Sequence, residues 1–323
     1  MKAIVKYGDL PGQVDFRDIP EPVCTDTDIK IEVQACAVCM TDLHIITGNY
    51  PWKTDIPLGH EFCGVVTATG KHVRKFKRGD RVAACMDGGF AEFTVKDEND
   101  WVFPLPDEIS FLEGALLEPL AAAINGVFNR SYILPADHVL IEGPGVIGLF
   151  ALQAAKQLGA SVMVAGTDSD VERLRMAEEL KADRIVNVQK EDIRAAANEF
   201  TNGHGIDTVL ECSGSQSALD TGLQVLKYDG QLTQLGILGK MATVDLGQLV
   251  YNNRRIVGSI AYDRAAWLRG IELVRRGSIN VKSLISEVLP LTQWEYGFDR
   301  TAQRTGYRTV LVPDRFYSSK YAL

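Results

Sequence analysis

The chain has 323 residues, too many for one ordinary hydrophobic core, and its 46% hydrophobic content is enough to bury two. A net charge of −8 gives no broad basic field, which argues against nucleic acid or an anionic membrane surface as partner. No apolar run of about 18 residues suggests a membrane span, and the basic cluster at 71–81 reads as a solvated loop.

The N-terminus passes straight into strand-like alternation over residues 1–6, with no apolar stretch of signal-peptide length. Six cysteines without secretory context read as reduced thiols, so a cytoplasmic protein is expected. Up to about residue 100, short β-branched runs at 29–33, 63–68, 81–84 and 91–95 alternate with Gly, Pro and Asp, the pattern of a partly closed β-barrel.

Within this region, residues 35–61 concentrate metal-binding chemistry. Cys36-x-x-Cys39 alone is ambiguous, because the spacing also occurs in redox dithiols and in half of a four-cysteine zinc site. No second such pair exists, and Cys24, Cys63, Cys85 and Cys212 are scattered singly, which favours an open site of mixed ligands over a closed sulfur cage. Cys39, His60 and Glu61 offer a thiolate, an imidazole and a carboxylate, the three donor types that zinc accepts with one position left open. The same residues are also compatible with a small buried thiol and a hydrogen-bonded core histidine.

Pro104 and Pro106 punctuate the end of this region, Ser110-x-x-Glu113 is a capping box, and Glu118 precedes a helical linker expected at 121–128. From residue 138 the pattern changes. A short apolar strand at 139–142 runs into Gly143-Pro144-Gly145-Val146-Ile147-Gly148, then a helix at 149–158 and a strand at 160–165. In that context the glycine turn reads as a dinucleotide site. Gly143 permits the tight turn, Gly145 lets the backbone approach a pyrophosphate, and Gly148 allows close helix–strand packing, with the helix-start N–H groups of Val146 and Ile147 meeting the phosphate charge. Further strands at 184–188, 206–212, 231–236 and 255–260 alternate with helices at 193–200 and 218–226, which specifies a doubly wound parallel sheet. The segment 262–276 is expected to return the chain to the first domain, and 315–323 to be a weakly held tail. An acid about 20 residues past the turn binds the adenosine ribose and repels a 2′-phosphate. Asp168 takes that place, although Gly166-Thr167 just before it could shift the carboxylate and make Asp170 a substitute; Arg173 is in reach of the adenosine or ribose.

Cys39-Met40-Thr41-Asp42-Leu43-His44, Gly59-His60-Glu61, Gly79-Asp80-Arg81-Val82, Gly89-Phe90-Ala91-Glu92-Phe93, Glu118-Pro119-Leu120-Ala121 and the glycine turn follow one another in an order that resembles the medium-chain zinc-dependent alcohol dehydrogenases over nearly the whole chain. Glu118-Pro119-Leu120, where simple alcohol dehydrogenases place a second cysteine, resembles the sorbitol and threonine dehydrogenase-like polyol branch. The resemblance implies an α/β fold with a GroES-like catalytic domain over 1–122, completed by 263–323, and a Rossmann domain over 123–262. It implies one catalytic zinc on Cys39, His60 and Glu61, with Glu118 as ligand or water partner, and a proton relay from Thr41 through the cofactor ribose to His44. Asp42 would brace the site. The four-cysteine lobe of many relatives is replaced by 83–88, so no structural zinc is expected and Cys85 is an ordinary thiol.

The expected activity is hydride transfer between a secondary alcohol, polyol or cyclitol and NAD, with NADP the lesser candidate. Ala261 stands where polyol-acting relatives carry arginine before Tyr262, and Glu287-Val288 replaces their His-Arg before 289–291, so sorbitol itself is disfavoured. Trp52 is a pocket wall or a packed loop aromatic. The alternatives are a zinc-free NADPH-dependent quinone or enoyl reductase of the same fold, which lacks this ligand set, and a catalytically silent nucleotide-binding protein. Joining of two nucleotide-domain sheets near 244–250 is expected to give a homodimer or homotetramer.

Overall fold

The computed structural model describes residues 1–317 and divides into two compact units, 1–118 with 280–317, and Pro119–Ile279. In the first unit the chain forms β1 (Lys2–Lys6), β2 (Val14–Asp18), β3 (Asp28–Ala37), α1 (Met40–Ile46), β4 (Ile56–Pro57), β5 (Glu61–Thr69), β6 (Arg81–Cys85), β7 (Phe93–Asp97), β8 (Val102–Pro104) and α2 (Phe111–Gly114). Then α3 (Leu117–Ile124) leads into the second unit, built of β9 (His138–Glu142), α4 (Val146–Gln157), β10 (Ser161–Gly166), α5 (Val171–Glu179), β11 (Arg184–Asn187), α6 (Ile193–Phe200), β12 (Ile206–Glu211), α7 (Gln216–Val225), β13 (Leu226–Gln234), α8 (Leu246–Asn252), β14 (Arg255–Gly258) and α9 (Arg264–Arg275). The first unit is completed by β15 (Ile285–Pro290), α10 (Trp294–Ala302) and β16 (Arg308–Val312).

The spine of the first unit is β3, whose strict alternation buries Ile29, Ile31, Val33 and Ala35 on one face. One edge pairs with β5; the opposite edge is shared, with β7 along 28–32 and β16 at Cys36 and Ala37. The sheet continues through β6 to β8, while β2, β1 and β4 form a separate three-stranded sheet. Phe62, Phe90 and Phe298 fill the core beneath, with Phe90 and Phe298 edge to face at 5.4 Å between ring centres. The capping box at Ser110 is present: Glu113 N–H donates to its hydroxyl and Ser110 N–H to the Glu113 carboxylate.

The second unit is a six-stranded, all-parallel sheet in the order β11-β10-β9-β12-β13-β14. Its central strands are covered on both faces, so β9 reads Val139-Leu140-Ile141 without alternation and all three are fully buried.

Several expectations need correction. The boundaries fall at 118/119 and 279/280, not at 122/123 and 262/263. The helix over 264–275 stays with the second unit because Trp267 is buried there against Tyr262, and Gly270 lets α9 approach Leu120 and Ile124 of α3. The linker helix starts earlier than 121 and widens into a π-helical turn over Asn125–Asn129. The segment 244–250 is no sheet edge: most of it is α8, and the terminal strand on that side is β14. Of the expected tail, Asp314–Phe316 forms a short turn in which Arg315 pairs with Glu32 at 3.0 Å and stacks on Phe93; residues 318–323 lie outside the described residues.

Candidate functional site

The metal-binding cluster is assembled by strand ends. Where β3 stops, extended backbone at Cys39 caps α1, and its N–H donates to Asp42 Oδ2 at 2.9 Å. Next to it β5 begins at Glu61, since the pairing of Cys36 with Phe62 sets Gly59-His60-Glu61 beside Cys39. Gly59 has φ +91, and an added Cβ would sit 2.6 Å from the Phe90 backbone nitrogen, so only glycine makes this approach. The third strand end is β16: Val38 N–H bonds Thr309 carbonyl at 2.9 Å, which lays Arg308 beside the cluster.

The thiol of Cys39, an imidazole nitrogen of His60 and a carboxylate oxygen of Glu61 all lie within 4.8 Å of one another. Asp42, fully buried, holds His60 Nδ1 at 3.1 Å, which leaves Nε2 on the cluster side, 3.7 Å from Glu61 Oε1. This is the usual way an outer carboxylate fixes the orientation of a ligating imidazole. Glu61 Oε1 accepts from Arg308 Nη2 at 2.8 Å, whereas its Oε2 is buried with no partner among the described residues. A buried lone oxygen of that kind is costly unless something else is there to bind it. Sulfur, nitrogen and oxygen donors converging with one such oxygen fit a tetrahedral zinc with a fourth position left over.

Charges in the cluster are mutually adjusted. Burial opposes ionisation of the Cys39 thiol, but the Arg308 guanidinium and then His60 outweigh it and bring the pKa down to about 6, which favours the thiolate that a metal requires. Burial likewise disfavours the charged imidazole of His60, and Asp42 reverses this and raises its pKa. Burial raises the Glu61 carboxyl against the opposing pull of Arg308. Arg308 itself loses by burial and gains more from Glu61, Cys39 and Glu118, so it stays charged.

Thr41, in the first turn of α1, lies with its hydroxyl 3.6 Å from Cys39 Sγ. His44 is on the last turn of the same helix and exposed. Glu118 opens α3 outside the three-residue cluster, yet its charge acts on Arg308. Trp52 packs against the core with its indole N–H buried and unpartnered among the described residues. Arg308 was missed by the sequence reading. It is 247 residues from Glu61, and an arginine opening a strand carries no local mark of a distant carboxylate.

In the second unit Gly143 has φ +96 and an added Cβ there would meet Ser213 backbone at 2.8 Å; at Gly148 it would meet Gly143 carbonyl at 2.1 Å. Gly145 differs: a Cβ would project into open space, in extended backbone at the start of α4, whose first residues are Val146 and Ile147. Backbone left uncovered at the N-terminus of a 12-residue helix is the cradle that a pyrophosphate occupies. Asp168 lies exposed just beyond β10, and Arg173 on α5 sits 3.6 Å from Asp170.

A barrel-like unit carrying a thiolate–imidazole–carboxylate cluster, in one chain with a parallel-sheet unit carrying this glycine turn, defines a metal- and dinucleotide-dependent oxidoreductase. Residues 25–107 match the alcohol dehydrogenase GroES-like domain family and residues 146–276 the zinc-binding dehydrogenase family. The chain belongs to the medium-chain, zinc-type alcohol and polyol dehydrogenases, and is an enzyme of that class. It is similar to the D-arabitol-phosphate dehydrogenase of Enterococcus avium, at 32% identity over 98% of this chain and 99% of that protein. Among solved structures it is similar to the 2R,3R-butanediol dehydrogenase of Bacillus subtilis, with 27% identity, a TM-score of 0.88 and 97% and 99% of the two chains covered. A zinc-binding dehydrogenase of Sinorhizobium meliloti 1021 bound to NADP gives 26%, 0.88, 97% and 99%. Among the described residues no helix is long and apolar enough to cross a membrane.

Proposed function

We propose that the chain transfers hydride between a small polyol, cyclitol or other secondary alcohol and a nicotinamide cofactor, NAD being the one that Asp168 favours, with a single zinc ion on Cys39, His60 and Glu61. The observation that carries this reading is the buried, unpartnered Glu61 Oε2 within the cluster of three unlike donors. Zinc in such a site polarises the oxygen of an alcohol or carbonyl, and nicotinamide accepts or returns the hydride. The chain's own groups bind, orient and move the proton. Asp42 holds the His60 ring, and Arg308 favours the Cys39 thiolate and pairs with Glu61 Oε1, opposing the burial that raises that carboxyl. Thr41 takes the hydroxyl proton, and exposed His44 delivers it to water. Glu118 orients a water or replaces Glu61.

Replacing a thiolate by a carboxylate makes the metal harder and suits oxygen-rich substrates; the names of the arabitol-phosphate and butanediol relatives agree with that class. Six free cysteines and the absence of a broad basic field support a cytoplasmic protein without nucleic-acid or membrane partners. A homo-oligomer joined at β14 is supported by its terminal place in the sheet and by exposed Leu246, Val250 and Tyr251 on adjoining α8.

The test combines zinc quantitation with assays of polyols, polyol phosphates, cyclitols and secondary alcohols. The purified chain is expected to hold one zinc, to lose it in Cys39→Ser, and to lose turnover under chelation. Full turnover in a metal-free preparation would overturn the reading in favour of a zinc-free reductase.

A further inference from the structure

The acid assigned to the ribose has company. β10 ends at Gly166, where an added Cβ would lie 3.0 Å from Pro144 of the glycine turn, so the chain leaves the strand directly beside the dinucleotide cradle. Of the two acids that follow, Asp170 is committed to local structure: its Oδ2 accepts from Thr167 N–H at 3.1 Å and from the Thr167 hydroxyl at 2.8 Å. Asp168 is therefore the carboxylate available to a ribose. The neighbouring strand β11 pairs Asn187 with Gly166 and brings three side chains to it. Asn187 Nδ2 donates to Asp168 Oδ1 at 2.8 Å, Lys190 Nζ lies 3.2 Å from the same oxygen, and Gln189 Oε1 accepts the Asp168 N–H at 2.7 Å.

An isolated carboxylate here excludes a 2′-phosphate by repulsion. This one is paired with a cation, and both cationic and amide donors gather on Oδ1, leaving Oδ2 for a ribose hydroxyl. We propose that Lys190 sets the ribose 2′ specificity of this chain: held on Asp168 it cancels the charge that would exclude NADP, and it supplies the ammonium that receives a 2′-phosphate, so both dinucleotides bind. The proposal rests on reading the glycine turn as a nicotinamide dinucleotide site. Lys190 is a point charge on a flexible four-carbon stem, two-thirds exposed, and can turn from carboxylate to phosphate without moving the backbone. Because exposed ion pairs contribute little to folding, substituting it reports on binding and not on stability.

The experiment is equilibrium titration of the full chain with NADH and NADPH, followed by nicotinamide fluorescence. The unsubstituted protein is expected to bind the two with dissociation constants within about a hundredfold of each other. Lys190→Ala should weaken NADPH relative to NADH by about tenfold, and Lys190→Arg should keep the original ratio, as a single screened charge pair implies. A relative shift of about threefold or more in Lys190→Ala supports the assignment; a smaller one, or a preference for NADH beyond about a hundredfold in the unsubstituted protein, overturns it. Binding with an unmoved ratio defeats this proposal alone, whereas failure to bind either nucleotide defeats the dinucleotide-site reading along with it.

Discussion

Glu142 shows how a single side chain couples the nucleotide unit to pH. It ends β9 directly before the glycine turn, buried, with Oε1 accepting the Thr221 hydroxyl at 2.8 Å and Oε2 unpartnered among the described residues. Gly222 makes the room: an added Cβ would lie 2.6 Å from that Oε2. Burial raises the Glu142 carboxyl to about 8, the Thr221 hydroxyl opposes this, and Glu211 beside it adds to the rise. The folded chain therefore keeps a proton that the unfolded chain has released, and the stability this proton confers is fully present below the ordinary carboxyl pKa near 4.5. It is lost as pH climbs through about 8. Chemical denaturation should show the chain several kcal/mol less stable at pH 9 than at pH 5 on this account, since this contribution falls by about 1.4 kcal/mol per pH step until the carboxyl ionises in the folded chain. In Glu142→Gln, which keeps an acceptor for Thr221, that part of the slope should vanish; an unchanged slope would place the titration elsewhere.

Among elements, the connection from β6 to β7 is a turn with two left-handed residues. Met86 and Gly88 both take positive φ, +88 and +93, and Gly88 lies so near Thr94 that an added Cβ would sit 2.2 Å from its hydroxyl. The turn is closed by Asp87, whose carboxylate pairs with the Lys96 ammonium on β7, a lysine only 6% exposed that also faces the Phe62 ring. Removing one partner of a buried pair leaves the other charge stranded. Asp87→Ala should thus cost about 2–3 kcal/mol in urea denaturation, moderated because Asp87 itself is partly exposed. Lys96→Met should recover much of the loss in the double variant, since an apolar chain of similar length needs no counter-charge. The capping box at Ser110 and the glycine turn at 143–148 were legible because their signals lie within a few residues of one another. The unit to which α9 belongs was not, because it depends on Gly270 packing against Leu120 and Ile124, far back in the chain.

At the scale of the molecule, the terminal strand β14 and neighbouring α8 carry the assembly proposed above. Ile256 on the strand and Leu246, Val250 and Tyr251 on the helix are exposed, an apolar patch that is costly to leave wet. Light scattering should report a homo-oligomer at micromolar concentration, and Val250→Glu with Ile256→Lys should shift it toward monomer while leaving the zinc content intact. A chain monomeric without substitution would remove this surface from the account. The order of residues along the chain was enough to mark two units, the candidate donors Cys39, His60 and Glu61 that the fold brings within 4.8 Å of one another, and the turn around Gly145. These depend on short spacings and on periods of two and 3.6 that each segment carries within itself. Asp42 was expected to brace the site, but only the folded chain decided that it would do so through His60 Nδ1, that Arg308 would stand on Glu61, and that Lys190 would sit on Asp168. Such neighbours are chosen by the register of strands distant in sequence, and register is a property of the whole sheet.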